Sequence, residues 1–135
     1  MTMSLSLFDI AGRAMSAQLV RLNSAASNLA NAGSVSSSSA SAFKALKPIF
    51  QTAYEGASGK ATVNVLGVVQ SNAAPQRRHE PGHPLADAQG YVHVAAVDSN
   101  AELVEVVETS RQYRNNIEVL ETAKSLTMET LRMGR

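Results

Sequence analysis

The sequence predicts a mainly helical α+β chain, in which long N- and C-terminal helices pair as a coiled coil and short irregular strands lie between them. Three observations predict it. Near the N-terminus, Phe8, Met15, Leu22 and Leu29 recur every seven residues, the spacing of a seam for a partner helix. Toward the C-terminus, apolar residues recur at steps of three and four, and no proline or glycine falls between Ser99 and Gly134. Between these stretches lie short Val-rich segments separated by Gly and Pro. The implied organisation is a discontinuous helical domain of residues 1–33 and 99–135, a Ser-rich loop at 34–42 and a β-rich middle at 43–98.

The first helix is expected from Leu5 to Ala32, with Ala11, Gly12, Leu19, Ala25 and Ala26 filling the steps between the heptad positions. Its only charges are Asp9, Arg13 and Arg21, and the rest of its polar surface is Ser, Asn and Gln. A solvated helix face usually carries more charge, so several of its faces are expected to be covered. Asn31 or Gly33 is expected to end it in the left-handed conformation of a C-cap. The run Ser34 to Ser41 has too little apolar surface to order itself and is expected to be a flexible or partner-ordered loop.

Phe43 to Gln51 and Ala61 to Gln70 read as extended. Pro48 confines the first to an edge or irregular strand, and Gly56 and Gly59 supply the turn between the two. Val63, Val65, Leu66, Val68 and Val69 make the second a dense apolar strand, with a bend or bulge at Gly67. A third strand is expected from Tyr91 to Val97. So few strands are marginal alone and are expected to rest on the helices.

The C-terminal helix takes its stripe from Val106, Tyr113, Ile117, Leu120, Ala123, Met128 and Leu131. Ser99 with Glu102 has the spacing of a capping box, and Gly134 marks the stop. Glu102, Glu105 and Glu108 lie toward the positive end of the helix dipole, and Lys124, Arg132 and Arg135 toward the negative end. Such a helix would run on the order of 50 Å, longer than a domain of this size is wide. It must project or pair, because burial of one stripe does not offset the entropy of ordering the segment.

The 135 residues suffice for one modest domain, and a formal net charge of +1 gives no electrostatic reason to expect nucleic acid or an anionic membrane as partner. With no cysteine, disulfides and thiolate metal sites are excluded. Hydrophobic residues make up 44% but aromatics only 4%, so the apolar content is mostly Ala, Val and Leu, which suits close helix packing. No stretch approaches the eighteen or so apolar residues of a membrane span. Asp9 interrupts the first apolar residues, so no cleavable secretory signal is expected.

His79, Glu80, Pro81, Gly82 and His83 match the letters of the zinc-protease signature H-E-x-x-H. That chemistry needs both histidines on one helical face, and Pro81, Gly82 and Pro84 forbid a helix there. A rigid surface turn is the better reading. His93 stands alone in a strand, Arg77 and Arg78 form too short a basic pair for a nucleic-acid patch, and no Gly-rich loop opens a helix. No catalytic residue, cofactor or metal is expected.

The chain resembles the bacterial flagellar basal-body rod proteins, in particular the proximal-rod type, the FlgC family. Ser4 to Arg13 (SLSLFDIAGR) and Ala26 to Ala32 (ASNLANA), which includes Asn28, Leu29, Ala30 and Asn31, are similar to a signature of axial rod and hook proteins. Glu80 to Val92 (EPGHPLADAQGYV), with Pro81, Gly82, His83, Pro84, Gly90 and Tyr91, resembles the proximal-rod type more specifically. Ser110 to Arg135 is similar to its terminal helix.

This resemblance implies a structural subunit whose terminal helices pair and pack side by side into a tubular, helically arranged shaft. Phe8, Met15, Leu22 and Leu29 would then meet Val106, Tyr113, Ile117, Leu120 and Leu131. It also implies export by the flagellar type III apparatus, a periplasmic location, and contact with other proximal-rod subunits, the ring-to-rod junction protein and the distal rod protein. Membrane insertion and nucleic-acid binding are not implied. The residues alone also admit an independently folded coiled-coil adaptor that binds partner helices outside any filament.

Overall fold

The computed structural model describes residues 2–56 and 59–134. Two long helices, α1 (Thr2–Ala30) and α2 (Ser99–Met133), enclose five strands in sequence: β1 (Val35–Ser36), β2 (Leu46–Glu55), β3 (Lys60–Gln70), β4 (Gln76–His79) and β5 (Tyr91–Val94). The layout is the α+β arrangement expected from the sequence. Ala57, Ser58 and Arg135, which bear on the expected hairpin turn and helix-end charge, lie outside the described residues.

The helices run antiparallel. Gln18 meets Gln112, Arg21 meets Glu105 and Asn28 meets Glu102, so contacts move down α2 as they move up α1. With 35 residues, α2 extends about 52 Å. Apart from Asn28, the most buried positions are small: Ala11, Ala17, Ser24 and Ala25 on α1, and Thr109 and Ala123 on α2. Small side chains let two helix backbones approach closely. Each also removes less apolar surface from water than Leu or Val would, at about 0.8 kcal/mol per buried methylene.

Both helix ends differ in detail from expectation. Asp98, one residue before Ser99, is the N-cap of α2, and its side chain accepts from the N–H groups of Asn100 and Ala101. A carboxylate at that position faces the free N–H groups and the positive end of the dipole together. Glu102 is thereby released from capping and turns to Asn28. At the end of α1, Asn31 and Gly33 do not adopt the left-handed conformation. Instead, Asn31 Nδ2 donates to the carbonyl of Ser27 at 2.8 Å, closing the last turn with a side chain. At the far end of α2, the Gly134 N–H donates to Thr130 O, so the helix stops where expected.

The middle forms two sheets. β2 and β3 make a long antiparallel hairpin whose register shifts between Ile49 and Phe50, leaving Leu66 as the extra residue beside Gly67. The hairpin leans on α1, where Arg13 reaches Thr62 at 3.3 Å and Asn64 at 3.2 Å. A three-stranded antiparallel sheet has the order β1-β5-β4. Its two outer strands were not expected. β1 has two residues and β4 four, too short for any periodicity to register. The expected first strand starts at Leu46, not Phe43, and the third stops at Val94, not Val97. Val92 is fully buried in the central strand.

The Ser-rich run is also more structured than its composition suggests. Val35 and Ser36 pair with Val94 and His93, and Ala95 N–H donates to Ser34 O at 3.0 Å. The hydroxyls of Ser36, Ser38 and Ser41 bond one another and the local backbone, replacing water on a turn with no apolar core of its own.

Candidate functional site

A polar cluster along the helix pair gathers the side-chain hydrogen bonds that join the two helices. Among the described residues, no group of three His, Asp or Glu side chains is placed to hold a metal ion. Midway along the pair a polar cluster bridges the helices. Arg21 Nε donates to Glu105 Oε1 at 3.0 Å, and its Nη1 donates to Gln18 Oε1 at 3.2 Å and Gln112 Oε1 at 3.1 Å. Gln18 Nε2 donates to Gln112 Oε1 at 2.9 Å. The ion pair is partly solvated and contributes at most about 1 kcal/mol. Its larger consequence is register, because sliding α2 by one turn would break the bonds that join Gln18 and Arg21 to Glu105 and Gln112.

Asn28 is the junction of three elements. Its side chain is 3% exposed and uses both polar ends. Oδ1 accepts from Leu46 N–H at 2.7 Å, while Nδ2 donates to Leu46 O at 3.0 Å and to Glu102 Oε1 at 3.3 Å. The amide thus imitates a strand partner for the first residue of β2 and holds α2 with the same group. Neither apolar periodicity nor charge points to it. What marks Asn28 in the sequence is a polar residue inside a helical stretch that has almost no charge.

The expected packing residues occupy intermediate positions. Phe8, Met15, Leu22 and Leu29 are half-buried, as are Val106, Tyr113, Ile117 and Leu120, whereas Leu131 is 64% exposed. The outside of α2 carries large apolar groups: Leu103, Val104, Val107, Val119, Leu126 and Met128 are all exposed.

Residues 80–91 form a compact turn between β4 and β5. Glu80 N–H donates to Gly90 O at 2.9 Å, and Asp87 N–H to Tyr91 O at 2.8 Å. Gly90 has φ +84°, and a Cβ there would lie 3.3 Å from His79 Nε2 and from Pro81, so only glycine fits without strain. Tyr91 takes the Arg77 guanidinium over its ring at 4.2 Å and the edge of His79 at 4.8 Å. Asp87 Oδ1 accepts from the N–H groups of Tyr91 and Gln89, and these bonds, that from Tyr91 foremost, hold its carboxyl below the ordinary value. His83 Nδ1 accepts from Leu85 N–H, so that nitrogen is committed to the turn. Pro81, Gly82 and Pro84 lie exposed on its surface.

Comparison with known proteins gives these geometries a context. The chain is 47% identical to the flagellar basal-body rod protein FlgC of Salmonella typhimurium strain LT2, over 97% of this chain and 98% of the relative. It is 43% identical to that of Yersinia enterocolitica over 97% and 98%, and 36% identical to that of Buchnera aphidicola subsp. Schizaphis graminum over 96% and 97%. The chain belongs to the FlgC family of flagellar basal-body rod proteins. A family model described as flagella basal body rod protein matches residues 8–33, and one described as the flagellar basal body rod FlgEFG protein C-terminal matches residues 88–133.

In this FlgC-family chain the two matched segments are the two halves of one device. Residues 8–33 contribute Gln18, Arg21 and Asn28, and residues 88–133 contribute Glu102, Glu105 and Gln112, which bond them. Segments more than seventy residues apart in sequence meet side by side. The chain is a structural component of the flagellar basal-body rod and serves motility through it.

Proposed function

We propose that this rod component is a proximal-rod subunit that acts by distributed packing and not by catalysis. Its terminal helices stack side by side with those of neighbours into a hollow, helically arranged shaft, and torque passes through many apolar contacts. The periplasm is its place of work, reached by the flagellar type III export apparatus. Its neighbours are other proximal-rod subunits, the ring-to-rod junction protein and the distal rod protein. Phe8, Met15, Leu22, Leu29, Val106, Tyr113, Ile117 and Leu120 support the pair, and Leu131 meets a neighbour.

The observation that carries this reading is the inversion of size across the helix pair. The most buried positions of the pair are alanine, serine, threonine and Asn28, while Val104, Val119, Leu126 and Leu131 are exposed at 51% or more. Monomeric proteins rarely leave so many large apolar groups exposed on one helix. Covering each such side chain fully is worth roughly 1.5 to 3 kcal/mol. The test is Leu126→Glu in a flagellated host. The expected outcome is a chain of unchanged helicity by circular dichroism that no longer enters purified basal bodies, in cells that do not swim. Normal swimming and normal incorporation would contradict the proposal.

A further inference from the structure

Beside the Asn28 junction an open cleft of about 400 Å³ separates the start of α2 from the start of β2, above α1. Ala101, Glu102 and Glu105 line it from α2, and Lys47, Pro48 and Phe50 line it from β2. The two walls are joined only through α1. Among the described residues α1 packs on α2, β2 and β3, whereas α2 packs on no strand.

The charges that line this cleft are unevenly matched. Arg21 of α1 pairs with Glu105, so these two satisfy each other. Glu102 receives only the neutral amide of Asn28, at 3.3 Å, and forms no ion pair among the described residues. Lys47 is exposed and also forms none. One carboxylate and one ammonium therefore border the same cleft from different walls, each without a counter-ion. Lys47 directly follows Leu46, whose N–H and carbonyl are both held by Asn28. Its backbone is thus fixed at the edge of the cleft, while its four-carbon stem is free to swing.

We propose that Lys47 is a clasp, whose ammonium closes on the Glu102 carboxylate and draws Pro48 and Phe50 toward Ala101. The clasp joins the hairpin directly to α2, a contact that α1 otherwise mediates alone. It lies within one copy, so it goes beyond the rod-subunit reading and does not rest on it. Closure takes the apolar surface of Pro48 and Phe50 out of water and matches the two unpaired charges. An ion pair at a solvated rim shifts the balance between open and closed by about two- to fivefold. That is enough to bias the angle of the hairpin on the helix pair without locking it.

The first measurement uses the unmodified full chain. A water-soluble carbodiimide activates a carboxyl group, and an amine in contact with it attacks to form an amide while the reagent leaves as its urea. An equal mixture of isotope-labelled and unlabelled chain separates links within a copy from links between copies. The expected product is an amide between Lys47 Nζ and Glu102 within one copy, found by mass spectrometry of the digested chain and reduced about two- to fivefold in about 0.5 M salt. A link from Lys47 only to other carboxylates, a link only between copies, or no link at all overturns the clasp. The chain has no cysteine, so introduced thiols give a second readout without background. Pro48→Cys with Ala101→Cys is expected to form an intrachain disulfide on oxidation, at a rate that falls about two- to fivefold with Lys47→Glu or with Glu102→Gln and is kept by Lys47→Arg. Glu102→Gln retains an acceptor for Asn28, so its effect reports the charge and not the junction. A rate that neither Lys47→Glu nor Glu102→Gln changes, or the absence of the disulfide, overturns the proposal.

Discussion

The inner and outer faces of the helix pair differ in both size and polarity. The inner seam holds Ala11, Ala25, Ala123 and the polar groups of Gln18, Arg21, Asn28, Glu105 and Gln112. Outside the seam α2 exposes Leu103, Val104, Val107, Val119 and Leu126. An ordinary monomer would arrange these sets the other way round. The difference separates two tasks. Hydrogen bonds and close approach define how the two helices of one chain align, while many of the larger apolar side chains of α2 stay exposed outside that contact.

That comparison can be broken from the inside first. Asn28→Ala leaves Leu46 N–H, Leu46 O and Glu102 without their partner, at roughly 1 to 3 kcal/mol for each group that stays dry. The expected outcome is the largest fall in thermal midpoint of the changes considered, with β2 detached from α1. Denaturation of the full chain followed by circular dichroism measures it, and an unchanged midpoint would mean that the junction is solvated.

A smaller effect sharpens the contrast between the faces. Ala25 is 2% exposed in the seam, so Ala25→Leu forces the backbones apart and costs about 1 to 3 kcal/mol. The same increase in size on the outer face is expected to stay within about 0.5 kcal/mol. If Ala25→Leu is as stable as the parent chain, the seam is not closely packed and the division between faces fails.

The smallest effect lies outside both faces, in the turn at residues 80–91. The Asp87 carboxyl is held below its ordinary value of 3.8, first by the N–H of Tyr91, then by that of Gln89 and by the Arg77 charge. A lowered folded-state value means that the carboxylate stabilises the turn above the ordinary value and that this contribution is lost as pH falls through the lowered one. Asp87→Asn keeps an acceptor oxygen and is expected to flatten the acid limb of the stability profile. An acid limb identical to that of the parent chain would show that other carboxylates govern it.

The long elements were legible from the sequence because each repeats its signal many times. A heptad over residues 8–29 and an unbroken run from Ser99 to Gly134 define two helices, and Val63 to Val69 define a strand. The short elements were not legible, since β1 and β4 are held by pairing with β5 and have no internal pattern to show. The cap of α2 was displaced by one residue because both Asp98 and Ser99 have suitable side chains, and only backbone geometry selects Asp98. The candidate site divides in the same way. The turn glycine Gly90 and the segment around Asn28 stood out as stretches, but Gln18, Arg21, Glu105 and Gln112 did not, because a polar side chain carries no periodic mark of the partner it will meet.

By itself the sequence determined that two long helices flank a β hairpin and a proline-rich turn, since these depend on local periodicity, chain stiffness and missing N–H groups. Tertiary structure alone decided which side of each helix is inside. Several stripes on these helices are compatible with burial, and the choice among them rests on backbone separation and on hydrogen bonds between residues more than seventy positions apart, quantities that no local pattern contains.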